Sequence, residues 1–148
     1  MSKTPFVIHE HVRWGDVDFA GIIRYDAYTR FMELAESELF RSIGVPQRAF
    51  KDRLGFGIPR RSMHIDFLSS PTLDERLTVV SCVSHVGRTS LTLHFDFTGE
   101  VGLLRASGSL VVVCVPNGAT RGQPWPPEFL ELIEPYCMTV DEARAGTT

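Results

Sequence analysis

Only one stretch of this chain reads as a long helix, and nearly everything after it reads as strands. From about Asp26 to Ile43, apolar residues recur at Tyr28, Phe31, Met32, Ala35, Leu39 and Ile43. That three-and-four spacing makes a single buried stripe. Asp26 in the first turn and Arg41 in the last both suit the helix dipole, and Gly44 and Pro46 stop the run. A lone amphipathic helix must bury its stripe against something, and here only sheet is available.

The strands are legible on both sides of it. Upstream, Phe6, Ile8, Val12 and Trp14 alternate with more polar neighbours, with Glu10 as an interruption. Between Val45 and Pro59 the pattern weakens; Phe50, Leu54 and Phe56 suggest a short helix and a loop folding back on the core. After Pro59, Met63, Ile65 and Phe67 alternate until Ser69-Ser70-Pro71. Arg76 to Val86 is rich in Val and Thr, a turn follows at Gly87-Arg88, and Thr89 to Phe97 alternates cleanly. Leu103 to Val115 is the longest β-like run and is expected to be central. Short turns between these four strands predict an antiparallel meander. A short helix is expected around Glu128 to Tyr136, and residues 138–148 read as a flexible tail. The predicted fold class is α+β, one domain over residues 1–148, with an antiparallel sheet wrapped around one long central helix.

Composition narrows the function more than the fold. At 148 residues and 43% hydrophobic, the chain can bury a full core. A formal net charge of -3 supplies no field for nucleic acid. No window is long and apolar enough for a membrane span, and Met-Ser-Lys-Thr-Pro-Phe lacks a signal-peptide layout, so the expected location is cytoplasmic with no membrane partner. Cys82, Cys114 and Cys137 lack metal-ligand spacing and read as reduced structural thiols. The histidines at positions 9, 11, 64, 85 and 94 form no helical metal pair. No metal or cofactor is expected.

The chemistry concentrates where the first strand meets the helix: Trp14-Gly15-Asp16-Val17-Asp18-Phe19-Ala20-Gly21-Ile22-Ile23. Two carboxylates stand two residues apart, and Gly21 allows a sharp turn. A carboxylate beside a helix start, with its unpaired N–H groups and positive dipole end, is an arrangement that can hold and attack a carbonyl. Taken alone, either aspartate could equally cap backbone N–H groups.

This run, followed by Tyr25, Tyr28 and the Gly44-Val45-Pro46 stop, resembles the 4-hydroxybenzoyl-CoA thioesterase family, hot-dog-fold enzymes that hydrolyse acyl-CoA thioesters. The resemblance extends from about Val7 to Val115. It implies that Asp18 is catalytic, as nucleophile or as general base toward water, and that the backbone N–H of Tyr25 holds the thioester oxygen. Asp16 keeps a capping or turn-stabilising role. Substrate-binding candidates are Gly21 and Tyr28 beside the motif, Pro59 and Arg60 at a strand start with Arg61, and Arg88, Thr89 and Ser90 at a strand-opening turn. The last three lie where the family often binds coenzyme A, whose phosphates call for arginine and hydroxyl groups. Glu33 lies near an acidic position of relatives and reads otherwise as an exposed helix charge.

The expected substrate is an acyl-CoA or acyl-carrier-protein thioester, with a weak tilt from Phe19, Tyr25 and Tyr28 toward an aromatic or medium-sized acyl group. Coenzyme A is then part of the substrate. Two other readings stand beside it. A hot-dog dehydratase or hydratase would use a histidine at the helix start, yet none occurs between His11 and His64. A non-catalytic acyl-CoA or acyl-carrier-protein binding protein would keep the pocket without turnover. A lone sheet leaves edges, so a homodimer or a homotetramer made of two dimers is expected.

Overall fold

The computed structural model describes residues 3–147. Strand β1 (Phe6–His11) leads through single turns of 3-10 helix at Trp14–Asp16 and Tyr25–Ala27 into α1 (Tyr28–Ser42). A short α2 (Gln47–Ala49) continues into a π-helical turn, Phe50–Leu54. Then come β2 (Phe56–Gly57), β3 (Arg60–Phe67), β4 (Arg76–Val86), β5 (Ser90–Thr98), β6 (Leu104–Val113) and β7 (Val115–Pro116). The chain ends with α3 (Pro127–Ile133) and α4 (Val140–Ala145).

The main sheet is antiparallel with order β1-β4-β5-β6-β3. It wraps the one long helix: Tyr28, Phe31, Met32, Ala35, Leu39 and Phe40 are buried against Leu77, Val79, Leu91, Leu93, Phe95 and Phe97. This is the hot-dog fold. Among the described residues no helix is long and apolar enough to cross a membrane.

Four expectations change. The meander holds only for β4-β5-β6; β3 crosses to the far side of β6 instead of pairing with β4. Residues 68–75 are long enough for that crossing, and a short-turn rule does not apply to them. β5, not the longer β6, is therefore the middle strand. In place of a flexible tail, α4 folds onto the outer face of the sheet. Thr139 caps it reciprocally with Glu142, Ala143 packs with Cys82 and Met138, and Arg144 pairs with Asp96 at 2.8 Å. Finally, β1 stops at His11 because Val12 turns into the loop, where it exchanges hydrogen bonds with Asp74 and Glu75.

Edge strand β3 is exposed along nearly its whole length, including Met63 and Phe67. An aromatic cluster of Phe40, Phe50, Phe56, Trp125 and Phe129 closes the core at the end where β3 begins.

Candidate active site

The motif folds as a small hairpin. Asp18 N donates to Ile22 O at 3.0 Å, Val17 bridges Ile23, and Arg24 N donates to Asp16 O at 2.8 Å. Residues 19–21 form its tip, where Gly21 takes φ +80, a conformation that costs a side-chain-bearing residue about 1 kcal/mol or more. Gly21 O accepts from Leu73 N and Ile23 N donates to Pro71 O, which fastens the hairpin to the segment before β4.

The two aspartates divide their work. Asp16 is buried, 4% exposed. Its carboxylate accepts from Arg13 N at 2.8 Å, from Arg30 Nε at 2.8 Å and from Arg30 Nη2 at 2.5 Å. Burial pushes its carboxyl up, but those hydrogen bonds and the guanidinium charges of Arg30 and Arg24 outweigh burial and hold it below the usual range. Asp16 thus does the turn-stabilising work expected of it. Asp18 is exposed. Its Oδ1 accepts from Ala20 N at 2.8 Å, and Oδ2 accepts nothing among the described residues. Asp18 lines a cavity of about 340 Å³ with Trp14, Val17, Phe19, Gly21 and Leu73. Trp14 and Phe19 are 80% and 105% exposed, so its apolar rim is open.

Tyr25 follows directly on the returning arm of the hairpin and opens the helical turn that leads into α1. Its N–H meets no acceptor among the described residues, and its ring is exposed. Tyr28 lies differently. It is 2% exposed, with its ring 5.1 Å from Phe97 and 5.4 Å from Phe67. Desolvation pushes its hydroxyl up to about 12.

The other candidates gather at the opposite end of the sheet. Pro59 O accepts from Val113 N, Thr89 O from Cys114 N, and Ser90 O from both Gly87 N and Trp125 Nε1. Arg88 is exposed at this end. The Asp18 hairpin is fastened to residues 71–73 before β4, whereas Arg88 follows the end of β4. At about 3.3 Å per residue, the length of β4 separates the two groups by roughly 30 Å within one chain. Arg60 is already engaged, reaching Glu36 at 2.5 Å and Ile58 O at 3.0 Å. Glu33 is an exposed charge on α1.

Arg30 carried no sequence signal that set it apart from ordinary helix charges, whereas Glu36 is marked by its place in the buried arc of α1 beside Met32 and Leu39. Both lie on α1, and only the packing shows what they reach. Among the described residues no group of three or more His, Cys, Asp or Glu side chains could hold a metal ion.

The chain is 24% identical over 133 residues to the 4-hydroxybenzoyl-CoA thioesterase of Pseudomonas sp. (strain CBS-3), covering 84% of this chain and 94% of that one. It is 26% identical over 116 residues to the acyl-CoA thioester hydrolase YbgC of Escherichia coli O6:H1, covering 78% and 85%. A solved thioesterase-superfamily structure from Jannaschia sp. CCS1 superposes with TM-score 0.83 at 25% identity, over 91% of this chain and 94% of that one. The family model described as thioesterase-like superfamily matches residues 12–133, and the chain belongs to that superfamily.

Proposed function

We propose that this protein is an acyl-CoA thioesterase, converting a thioester and water to a carboxylic acid and a thiol. The observation that carries the reading is an open carboxylate oxygen on Asp18 in the hairpin together with an unused N–H on Tyr25, in the helical turn that directly follows it. Water attacks a neutral thioester slowly, so the carboxylate must attack the carbonyl carbon or take a proton from water. Either route puts negative charge on the carbonyl oxygen. The Tyr25 N–H at the helix start is suited to receive that charge, and one such donor is worth on the order of 100- to 1,000-fold in rate. Collapse of the addition product expels the thiolate. The relatives named as hydrolases of acyl-CoA thioesters support the same substrate class, with an acyl-carrier-protein thioester as the neighbouring alternative.

We further infer that the working unit is a homodimer, or a tetramer built from two dimers. The free edge of β3 exposes Met63, Phe67 and the adjoining Leu68 at 53%, 55% and 58%, and an apolar unpaired edge invites a second strand. Pairing two β3 strands antiparallel about a two-fold axis would set the Arg60 end of one chain beside the Phe67 end of the other. The Arg88-Thr89-Ser90 turn of one subunit would then approach the Asp18 hairpin of its partner, which removes the separation seen within one chain. Arg88 has no side-chain partner among the described residues and would be free for a CoA phosphate. The three free cysteines fit a reducing, cytoplasmic setting.

Thiol release from a panel of acyl-CoA and acyl-carrier-protein thioesters tests the proposal. Saturable hydrolysis is expected; tight binding of the panel without any release would favour the non-catalytic reading.

A further inference from the structure

Strand β3 runs antiparallel alongside α1. Phe67 meets Tyr28 near the start of the helix, and Arg60 meets Glu36 two turns further on. Between them lies a second cavity of about 290 Å³, lined by Thr29, Met32, Glu33 and Glu36 from α1 and by Arg60 and Met63 from β3, with Leu110 beneath.

Two features show that the far end of this groove is built to meet something polar. The first is a β-bulge between Arg60 and Ser62. Residues three apart on a regular strand point to opposite faces, yet Arg60 and Met63 both face the helix. Arg60 is opposite Val112 and Met63 opposite Leu110, both core residues. The extra residue turns Arg60 inward. The second is the Glu36 carboxylate itself, on a residue only 2% exposed. Both of its hydrogen bonds fall on Oε1, from Arg60 Nη2 at 2.5 Å and from Gln47 Nε2 at 3.3 Å. Oε2 receives none, and among the described residues no buried side-chain oxygen is left without a partner. Oε2 therefore opens onto the groove. Burial pushes the Glu36 carboxyl upward despite Arg60, so an incoming donor would relieve a costly site.

The charge of the groove defines that donor. Glu33 and Glu36 set two carboxylates against the one guanidinium of Arg60, which disfavours an acyl group ending in a carboxylate. Its length defines the reach. Thr29 to Glu36 spans about 10 Å of helix, and Thr29 is one turn beyond Tyr25. A group held by its carbonyl at Tyr25 must be longer than one aromatic ring to touch Glu36.

We propose that Glu36 is a specificity-determining residue, selecting acyl groups that extend past a single ring and carry a hydroxyl at the far end, which donates to Glu36 Oε2. This rests on the thioesterase reading for its substrate, while the groove itself does not depend on turnover.

The test uses matched CoA thioesters, 9-hydroxynonanoyl against nonanoyl and 6-hydroxy-2-naphthoyl against 2-naphthoyl. For the wild-type protein, kcat/KM for the hydroxylated member should exceed that of its partner by about 10- to 100-fold, the worth of a hydrogen bond to a charged acceptor. Glu36→Gln should shrink that ratio. The pair Glu36→Leu with Arg60→Met removes both charges at similar volume, a change that folds tolerate, and should bring the ratio to about one. A merely structural Glu36 would lower stability or rate and leave the ratio untouched. Equal kcat/KM in the wild type, or a preference that survives the double substitution, overturns the proposal. If no thioester is hydrolysed, the thioesterase reading falls separately. Calorimetric binding of the corresponding CoA thioethers, hydroxylated against plain, then judges Glu36 by the same ratio.

Discussion

Arg30 grips Asp16 with two donors, Nε on Oδ1 at 2.8 Å and Nη2 on Oδ2 at 2.5 Å, while its Nη1 reaches Glu10 at 3.1 Å. One guanidinium on α1 thus ties down the end of β1 and the hairpin that carries Asp18. Arg30→Met would leave the buried Asp16 carboxylate facing only Arg13 N and the more distant charge of Arg24. The loss of a partner from such a pair costs about 3 kcal/mol. A lower denaturation midpoint is expected, with a fall in kcat larger than any change in KM, because Asp18 loses its positioning. An unchanged midpoint would show that the clamp is dispensable. The pH dependence has a definite sign. Asp16 titrates below its usual 3.8 when folded, so the stability it contributes is present above that value and is lost as pH falls through the lower folded value. Arg30→Met should flatten this acid limb.

Asp18→Asn should keep the fold and lose turnover, since its Oδ1 holds only Ala20 N and an amide oxygen can accept that bond equally. Expected losses in kcat are on the order of 100- to 10,000-fold, the range of a missing base or nucleophile. Asp16→Asn should show the reverse balance, with stability falling more than chemistry. Near-wild-type kcat in a folded Asp18→Asn protein would end the proposed mechanism.

Tyr28→Phe addresses a candidate that lies inside the core. Its hydroxyl is pushed up to about 12 by desolvation and stays protonated at any working pH. Removing it should leave kcat and KM within about twofold, whereas Tyr28→Ala, which empties a site beside Phe67 and Phe97, should cost about 3–5 kcal/mol. A large kinetic effect of Tyr28→Phe with unchanged stability would give the hydroxyl a role at the substrate.

What the sequence disclosed was what lies close along the chain. The stripe from Tyr28 to Leu39 named the helix and its buried face, and residues 16–21 do turn, with Asp16 capping the Trp14–Asp16 turn through Arg13 N and Asp18 accepting from Ala20 N at the hairpin tip. What it withheld depends on distant partners. The pairing of β3 with β6 follows from a crossing by residues 68–75, and the inward aim of Arg60 follows from one inserted residue in a strand. The crossing leaves no mark on local periodicity, and the bulge falls between Arg60 and Ser62, before the apolar alternation of Met63, Ile65 and Phe67 begins. Glu36 falls within the buried arc beside Met32 and Leu39, but what its carboxylate reaches, Arg60 and Gln47, lies outside the helix. The final helix is a different case: Thr139-Val140-Asp141-Glu142 spells a capping box, a signal that outweighs the polar composition around it.

Arg88 and Asp18 lie at opposite ends of the sheet, so subunit sharing has a sharp consequence. Arg88→Ala should raise KM for CoA thioesters while sparing kcat, and should not affect a truncated thioester lacking the nucleotide. In a dimer that joins one chain's Asp18 to its partner's Arg88, mixing Asp18→Asn chains with Arg88→Ala chains creates heterodimers with one intact site. Random mixing should restore about a quarter of wild-type activity at low substrate concentration. No recovery after verified subunit exchange would mean that each site is built from one chain.

The packing of α4 against the sheet predicts a protected thiol. Cys82 is fully buried beneath Met138 and Ala143, and desolvation, with lesser help from Asp96, pushes its thiol up to about 12. Arg144 fastens the helix above it, with Nε on Asp96 Oδ2 at 2.8 Å, and Asp96 also accepts from Ser107 at 2.9 Å and lies 2.9 Å from His94 Nε2. Burial raises the Asp96 carboxyl, but these partners hold it well below the usual carboxylate range. The latch is therefore complete at neutral pH, and its contribution is lost only as pH falls below the normal carboxylate range. Deleting residues 139–148 should uncover Cys82. Its reaction with a thiol reagent, followed by mass spectrometry under native conditions, should accelerate by at least about tenfold. Arg144→Ala should produce a smaller acceleration, because Ala143 and Met138 still cover the sulfur. Equal labelling of the full-length and shortened proteins would show that the sheet alone shields Cys82.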